Sequence, residues 1–211
     1  MTRLGIKQTL NLHKYNISIK EFLGEWRIVI AAVISLSGIL LGTFWIKGEG
    51  EIPQKITYIL FEKLINNETQ DMFVSFIFNL LIPTSFFILV FFCGLSAYGN
   101  VLSYIIPLIY STVIGMFTCQ LYSEYKLKGL AAFVILILPF ATLSLLGIIL
   151  ITVESVKMSQ TVMNVLSNRP KRTLYSFTMY YKNSLKSYVP IIMSSVLKTV
   201  LDKLFVGLIS F

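Results

Sequence analysis

The feature that most constrains this chain is the spacing of its charges. Between Asp71 and Glu124 lie 52 residues without a Lys, Arg, Asp or Glu. A helical crossing of a bilayer core about 30 Å thick takes roughly 20 residues at 1.5 Å each. The run is too long for one crossing and suits two joined by a turn. Gly94-Leu-Ser-Ala-Tyr-Gly-Asn100 carries small, turn-forming residues for that reversal. So 72–93 and 101–123 read as spans, and 94–100 as the turn between them. The 19 uncharged residues between Arg27 and Lys47 make 28–46 an earlier span, and the 25 between Lys128 and Glu154 make 129–153 a later one. Pro139 predicts a kink in the latter.

The last segment leaves two readings open. Eleven uncharged residues, Ser187 to Leu197, precede Lys198, Asp202 and Lys203 and an apolar end at Phe211. Lys198 and Asp202 are four apart and share a helix face. A charge at the bilayer centre costs roughly 2.5–3.5 kcal/mol. Residues 187–211 are thus either a fifth span with a buried, paired polar site, or a helix at the outer interface whose charges snorkel to water.

Composition agrees with a membrane solvent. Hydrophobic residues make up 55% of the chain and charged ones 13%, about half the usual charged share of roughly 25%. A soluble globular enzyme and a disordered chain are both excluded. The expected fold is all-α: a single polytopic membrane domain, 1–211, with about five transmembrane helices and interfacial amphipathic helices. The first 27 residues are polar and mixed, so no cleavable signal peptide is expected.

The net charge of +8 sets the orientation. Residues 1–27 and 154–186 together hold eleven Lys and Arg, and the segments 47–71 and 124–128 hold five. The positive-inside rule then puts the N-terminus and 154–186 in the cytoplasm. A basic chain could suggest nucleic acid, but these charges flank membrane helices, and anionic lipid headgroups are the simpler partner.

Three flanking segments are candidate contacts. Residues 1–27 form a basic amphipathic segment, with Lys14, Lys20 and Arg27 among its cations and Ser18-Ile19-Lys20-Glu21 as a capping box. Residues 47–71 read as an outer interfacial helix with Ile56, Leu60 and Leu64 on one face and Pro53 in its first turn. Residues 154–186 continue the fourth helix, break at Arg169-Pro170-Lys171-Arg172, and end in an aromatic belt that includes Tyr175 and Tyr180. Each could meet lipid, another membrane protein or, on the cytoplasmic side, an ATPase. The Lys198/Asp202/Lys203 patch is a fourth candidate.

The sequence carries no recognisable catalytic constellation. No phosphate-binding glycine loop and no His-Glu-x-x-His occur, and His13 is the one histidine. Cys93 and Cys119 lie in apolar stretches, where an inert thiol is expected. No cofactor or metal is expected. The polar and small residues within the spans, Asn79, Ser111, Gly94, Gly99, Gly115 and Gly147, are expected to let helices pack closely.

The order of parts resembles the stage II sporulation protein M family. The resemblance covers most of 30–211. It rests on one span, an outer segment, Phe76-Ile-Phe-Asn79 opening an apolar hairpin, Phe92-Cys-Gly94-Leu-Ser-Ala-Tyr-Gly99, Gly115, Leu138-Pro139, a basic stretch, and a final helix with one acid, Asp202. Many members carry His-Gly and a glutamate after Leu-Pro, where this chain has Phe140-Ala141-Thr142. The resemblance implies a membrane scaffold in a complex with peptidoglycan-remodelling proteins, or a subunit beside an ATP-binding partner in bacteriocin maturation or export. Two functions follow as expectations: a non-enzymatic scaffold or accessory subunit, and a permease-type subunit of an ABC exporter. A membrane enzyme using Cys93 or Cys119 is a third.

Overall fold

The computed structural model describes residues 26–47, 71–167 and 175–205. Lys14, Lys20, Ile56, Leu60, Leu64, Arg169, Lys171 and Arg172 lie outside the described residues, as does the chain end after Phe205.

The described residues are helical almost throughout. Helix α1 covers Trp26–Lys47, α2 Met72–Gly94, α3 Gly99–Ala132, α4 Leu138–Leu166 and α5 Phe177–Phe205; a π-helical turn, Phe133–Ile137, joins α3 to α4. Among the described residues four segments are long and apolar enough to cross a membrane: Trp26–Trp45, Met72–Gly94, Gly99–Ser123 and Tyr125–Leu166. Helix α5 has 29 residues, about 43 Å at 1.5 Å per residue, but it carries more polar groups and falls outside that set. This is a multi-pass membrane protein. Its outward surfaces are covered with large apolar side chains such as Leu36, Leu40, Phe73, Leu89 and Val101, as a lipid-facing surface requires.

The helices alternate in direction. Leu95 to Tyr98 turn the chain between α2 and α3, closed by Leu95 N–H to Phe92 O and Ser96 N–H to Cys93 O at 3.1 and 3.0 Å. Helix α3 is interrupted at Lys126, the one described non-glycine residue with positive φ (52°). The chain folds back there: a Cβ on Gly129 would run into the Leu121 carbonyl, and Phe133 and Ile137 pack on Phe117 and Leu121. In an unbroken helix those residues would lie well apart. Pro139 sits at the start of α4, directly after the π turn. A proline has no N–H to give the preceding turn, and widening that turn is one way a helix absorbs the loss. Pro83, Pro107 and Pro190 lie inside α2, α3 and α5.

The core lies where α2, α3, α4 and α5 meet. Val90, Tyr110, Ile148, Ile151, Tyr180 and Ile191 are buried there. Helix α1 packs chiefly along α3 and touches α4 near Arg27.

Candidate functional site

Helix α5 carries a polar stripe that α2 and α4 cover. Ser184, Ser187, Ser194, Ser195, Lys198, Thr199 and Asp202 are all buried. The cross-helix contacts fix its register. Tyr180 Oη donates to Phe91 O at 2.8 Å, Tyr188 and Thr84 share a hydrogen bond of 2.9 Å, and Asn79 Nδ2 donates to Thr199 Oγ1 at 3.2 Å. Residue numbers fall along α2 as they rise along α5, so the two run antiparallel. Extending that register by one turn brings Ser75 to the level of Asp202.

The candidate site is this far end, built from Ser75, Asn79, Ser195, Lys198, Thr199 and Asp202. Lys198 Nζ is paired with Asp202 Oδ1 one turn along the same helix. Lys198 keeps 4% of its surface exposed and Asp202 8%. Ser195 Oγ reaches Asn79 O at 3.4 Å, and Thr199 Oγ1 donates to Ser195 O at 2.8 Å. Three buried oxygens have no hydrogen-bond partner: Ser75 Oγ, Asn79 Oδ1 and Asp202 Oδ2. Leaving a buried polar atom unmatched costs roughly 1–3 kcal/mol. Asn79 Oδ1 and Asp202 Oδ2 are thus unused acceptors, and the Ser75 hydroxyl is an unused donor and acceptor. The site can accept hydrogen bonds, and it holds both members of an ion pair away from water.

A second polar group closes the opposite end of α4 and α5. Glu154 Oε1 pairs with Lys157 Nζ at 3.0 Å, and Glu154 Oε2 accepts from Asn183 Nδ2 at 3.1 Å and from the Tyr175 hydroxyl. Asn183 Nδ2 also donates to Tyr175 Oη at 2.9 Å. Burial, and the charged Glu154 that accepts its hydrogen bond, push the Tyr175 phenol above its ordinary pKa. Here every carboxylate oxygen is matched.

The sequence candidates fall into separate places. Asn79, Lys198 and Asp202 are brought together. Lys203 lies next to them in the chain on the exposed side of α5. Arg27 is at the other end of the bundle, where its Nη2 donates to Gln160 Oε1 at 2.9 Å. Gly94 faces Ser155 and Tyr180, Gly99 packs on the Cys93 carbonyl and Ser159, and Gly115 faces the Ile39 backbone. Gly147 admits Ile191: a Cβ there would lie 2.6 Å from its Cγ1. Cys93 and Cys119 are free thiols. Among the described residues no group of three or more His, Cys, Asp or Glu could hold a metal ion.

Sequence reasoning missed Ser75, Gly38 and Gly42. A Cβ on Gly38 would lie 2.6 Å from Leu108 O, and one on Gly42 would collide with the Thr112 carbonyl. Gly38-Ile-Leu-Leu-Gly42 on α1 and Ser111-Thr-Val-Ile-Gly115 on α3 are small residues four apart, the spacing that lets two membrane helices touch backbone to backbone. That spacing was the available signal. Ser75 had none beyond lying four residues before Asn79.

A family model for stage II sporulation protein M matches residues 30–208. The chain belongs to this family. The match begins inside the first turns of α1 and runs through α5, and membership places the chain among non-catalytic membrane proteins. No curated protein and no solved structure matches it.

Proposed function

We propose that this member of the stage II sporulation protein M family is a scaffold or accessory subunit that assembles a membrane complex, with its N-terminus in the cytoplasm and α5 as a fifth span. The supporting observation is the buried Lys198–Asp202 pair beside three unmatched oxygens between α2 and α5. Ionisable groups inside a membrane bundle are expensive, and they mark functional positions. Hydrophobic residues of similar volume would pack there at lower cost. The site lies near the Asp71 end of α2, which the charge distribution puts outside. Partner engagement at that face gives the polar set a use.

The test is co-purification from the native membrane. A photo-reactive residue at Leu204, two-thirds exposed and two residues beyond Asp202 on the outward face of α5, should cross-link a membrane or outer-face protein. The double variant Lys198→Met/Asp202→Leu should keep its fold and lose the adduct. A folded double variant that captures the same protein as efficiently would sink the proposal. The exporter reading has its own signature in the same preparation: a stoichiometric ATPase, lost on reversing the charges of Arg169, Lys171 and Arg172. That result would replace the scaffold by a permease-type subunit.

A further inference from the structure

Helices α1 and α3 run in the same direction and do not stay equally close. They touch at Gly38, Gly42 and Gly115, where backbone meets backbone. Towards Trp26 the glycines end and the helices part. The gap is a cleft of about 380 Å³ between α1, α3 and α4, lined by Arg27, Asn100, Tyr104 and Gln160 together with Ile30, Ile34 and Leu108. Its chemistry is graded along its length. Arg27, Asn100 and Gln160 lie at the helix-end level, with Tyr104 one turn further along α3. Ile34 and Leu108 lie about 10–12 Å deeper, seven and eight residues along their helices.

Among the described residues that line the polar end, Arg27 is the one charged side chain. Gln160 takes Nη2 of Arg27, but a neutral amide leaves the guanidinium charge unbalanced. Arg27 Nε is buried and has no partner. An unbalanced guanidinium with an unmatched N–H calls for an anionic oxygen, and phosphate suits its fork. The deeper end calls for a hydrocarbon chain. Both belong to one molecule already dissolved in the surrounding bilayer.

We propose that this cleft binds one acidic glycerophospholipid, with its phosphate on Arg27 and its upper acyl chain along Ile30, Ile34 and Leu108. The inference needs only that the chain spans a membrane, and it stands independently of the scaffold reading.

The chain contains two tryptophans, Trp26 and Trp45, at opposite ends of α1. The full-length Trp45→Phe variant therefore reports through Trp26, which lines the cleft. It is reconstituted into vesicles containing either brominated phosphatidylglycerol or brominated phosphatidylcholine, whose bromines quench nearby indoles. The expected result is about a five-fold preference of the Trp26 site for the acidic lipid, the worth of one basic side chain at an anionic surface. Arg27→Gln should abolish it. Asn100→Asp, which leaves Arg27 in place and adds a repelling charge to the cleft, should do the same and decides the matter if Arg27→Gln misfolds. Trp45 in a Trp26→Phe protein should show no preference. Equal quenching by the two lipids at Trp26 overturns the proposal. So does a preference that survives in folded variants, because the upstream Lys14 and Lys20 would then carry it. An equal preference at Trp45 also overturns it, because the attraction would then be general.

Discussion

The seam between α1 and α3 and the core of α2, α3, α4 and α5 are two solutions to one problem. In lipid, apolar contact between helices gains little over contact with acyl chains, so close packing and hydrogen bonds must hold the helices together. The seam uses closeness. Gly38, Gly42 and Gly115 remove side chains so that backbones meet, while Ser111 and Thr112 bond to Leu108 O of their own helix. The core uses cross-helix bonds: Ser103 to Ser155 at 2.6 Å, Ser155 to Val90 O at 2.9 Å, Tyr110 to Ser144 at 2.7 Å, and the Asn79–Thr199 bond. A seam held by shape is local, and its loss frees one helix. A core held by matched polar groups fails as a unit, because each lost partner leaves another group stranded.

Four variants test that contrast. The largest effect belongs to Asp202→Ala, which strands Lys198 in the interior. Breaking a buried pair from one side costs about 3–5 kcal/mol, so the denaturation midpoint of the detergent-solubilised protein should fall steeply. Lys198→Met/Asp202→Leu should recover most of that loss. Recovery absent from a well-packed double variant would mean that the pair itself contributes net stability. Next comes Gly42→Leu. Overpacking costs roughly 1–3 kcal/mol, and here it should be confined to the seam: cross-linking between cysteines placed at Leu41 and Leu108, which line one groove between the two helices, should drop while core helicity persists. Global unfolding instead would show that seam and core are one cooperative unit. The smallest effect is Ser155→Ala. Single polar contacts in membrane bundles average about 0.6 kcal/mol, but Ser155 serves both Ser103 and Val90 O, so its loss should exceed that average in the same denaturation assay. A loss indistinguishable from zero would remove the polar network from the account of the core.

The charge gaps revealed the helices because each lipid-embedded helix must be apolar over a fixed length, which leaves a plain mark in one dimension. The same marker is blunt where a charge lies on the outer face of a continuing helix. Lys182 and Lys186 are exposed, and α5 runs under them from Phe177, well before the uncharged stretch at Ser187. Lys198 and Asp202 could be paired from their spacing alone. Their burial could not be read, because Ser75 and Asn79 come from a helix more than 110 residues away. Glu154 was similarly opaque: its partners Tyr175 and Asn183 reach it across a chain reversal. The 124–128 segment was visible as a break because three charges fall in five residues. That the break narrows to a reversal at Lys126 depends on Gly129 meeting Leu121, a contact that no pattern of charge encodes.

The prolines of α2, α3 and α5 have a mechanical consequence. Pro83 adjoins Thr84, which bonds Tyr188, two residues before Pro190. Phe86 meets the Tyr110 ring at 5.1 Å, and Pro107 is one turn from Tyr110. The three prolines thus occupy nearly one level of the bundle, and each removes a helical hydrogen bond there. The molecule has a soft waist. Bending imposed at either rim is taken up where three helices are jointly weakest in their own hydrogen bonding, and α1, which has no proline, is the stiff stave beside it.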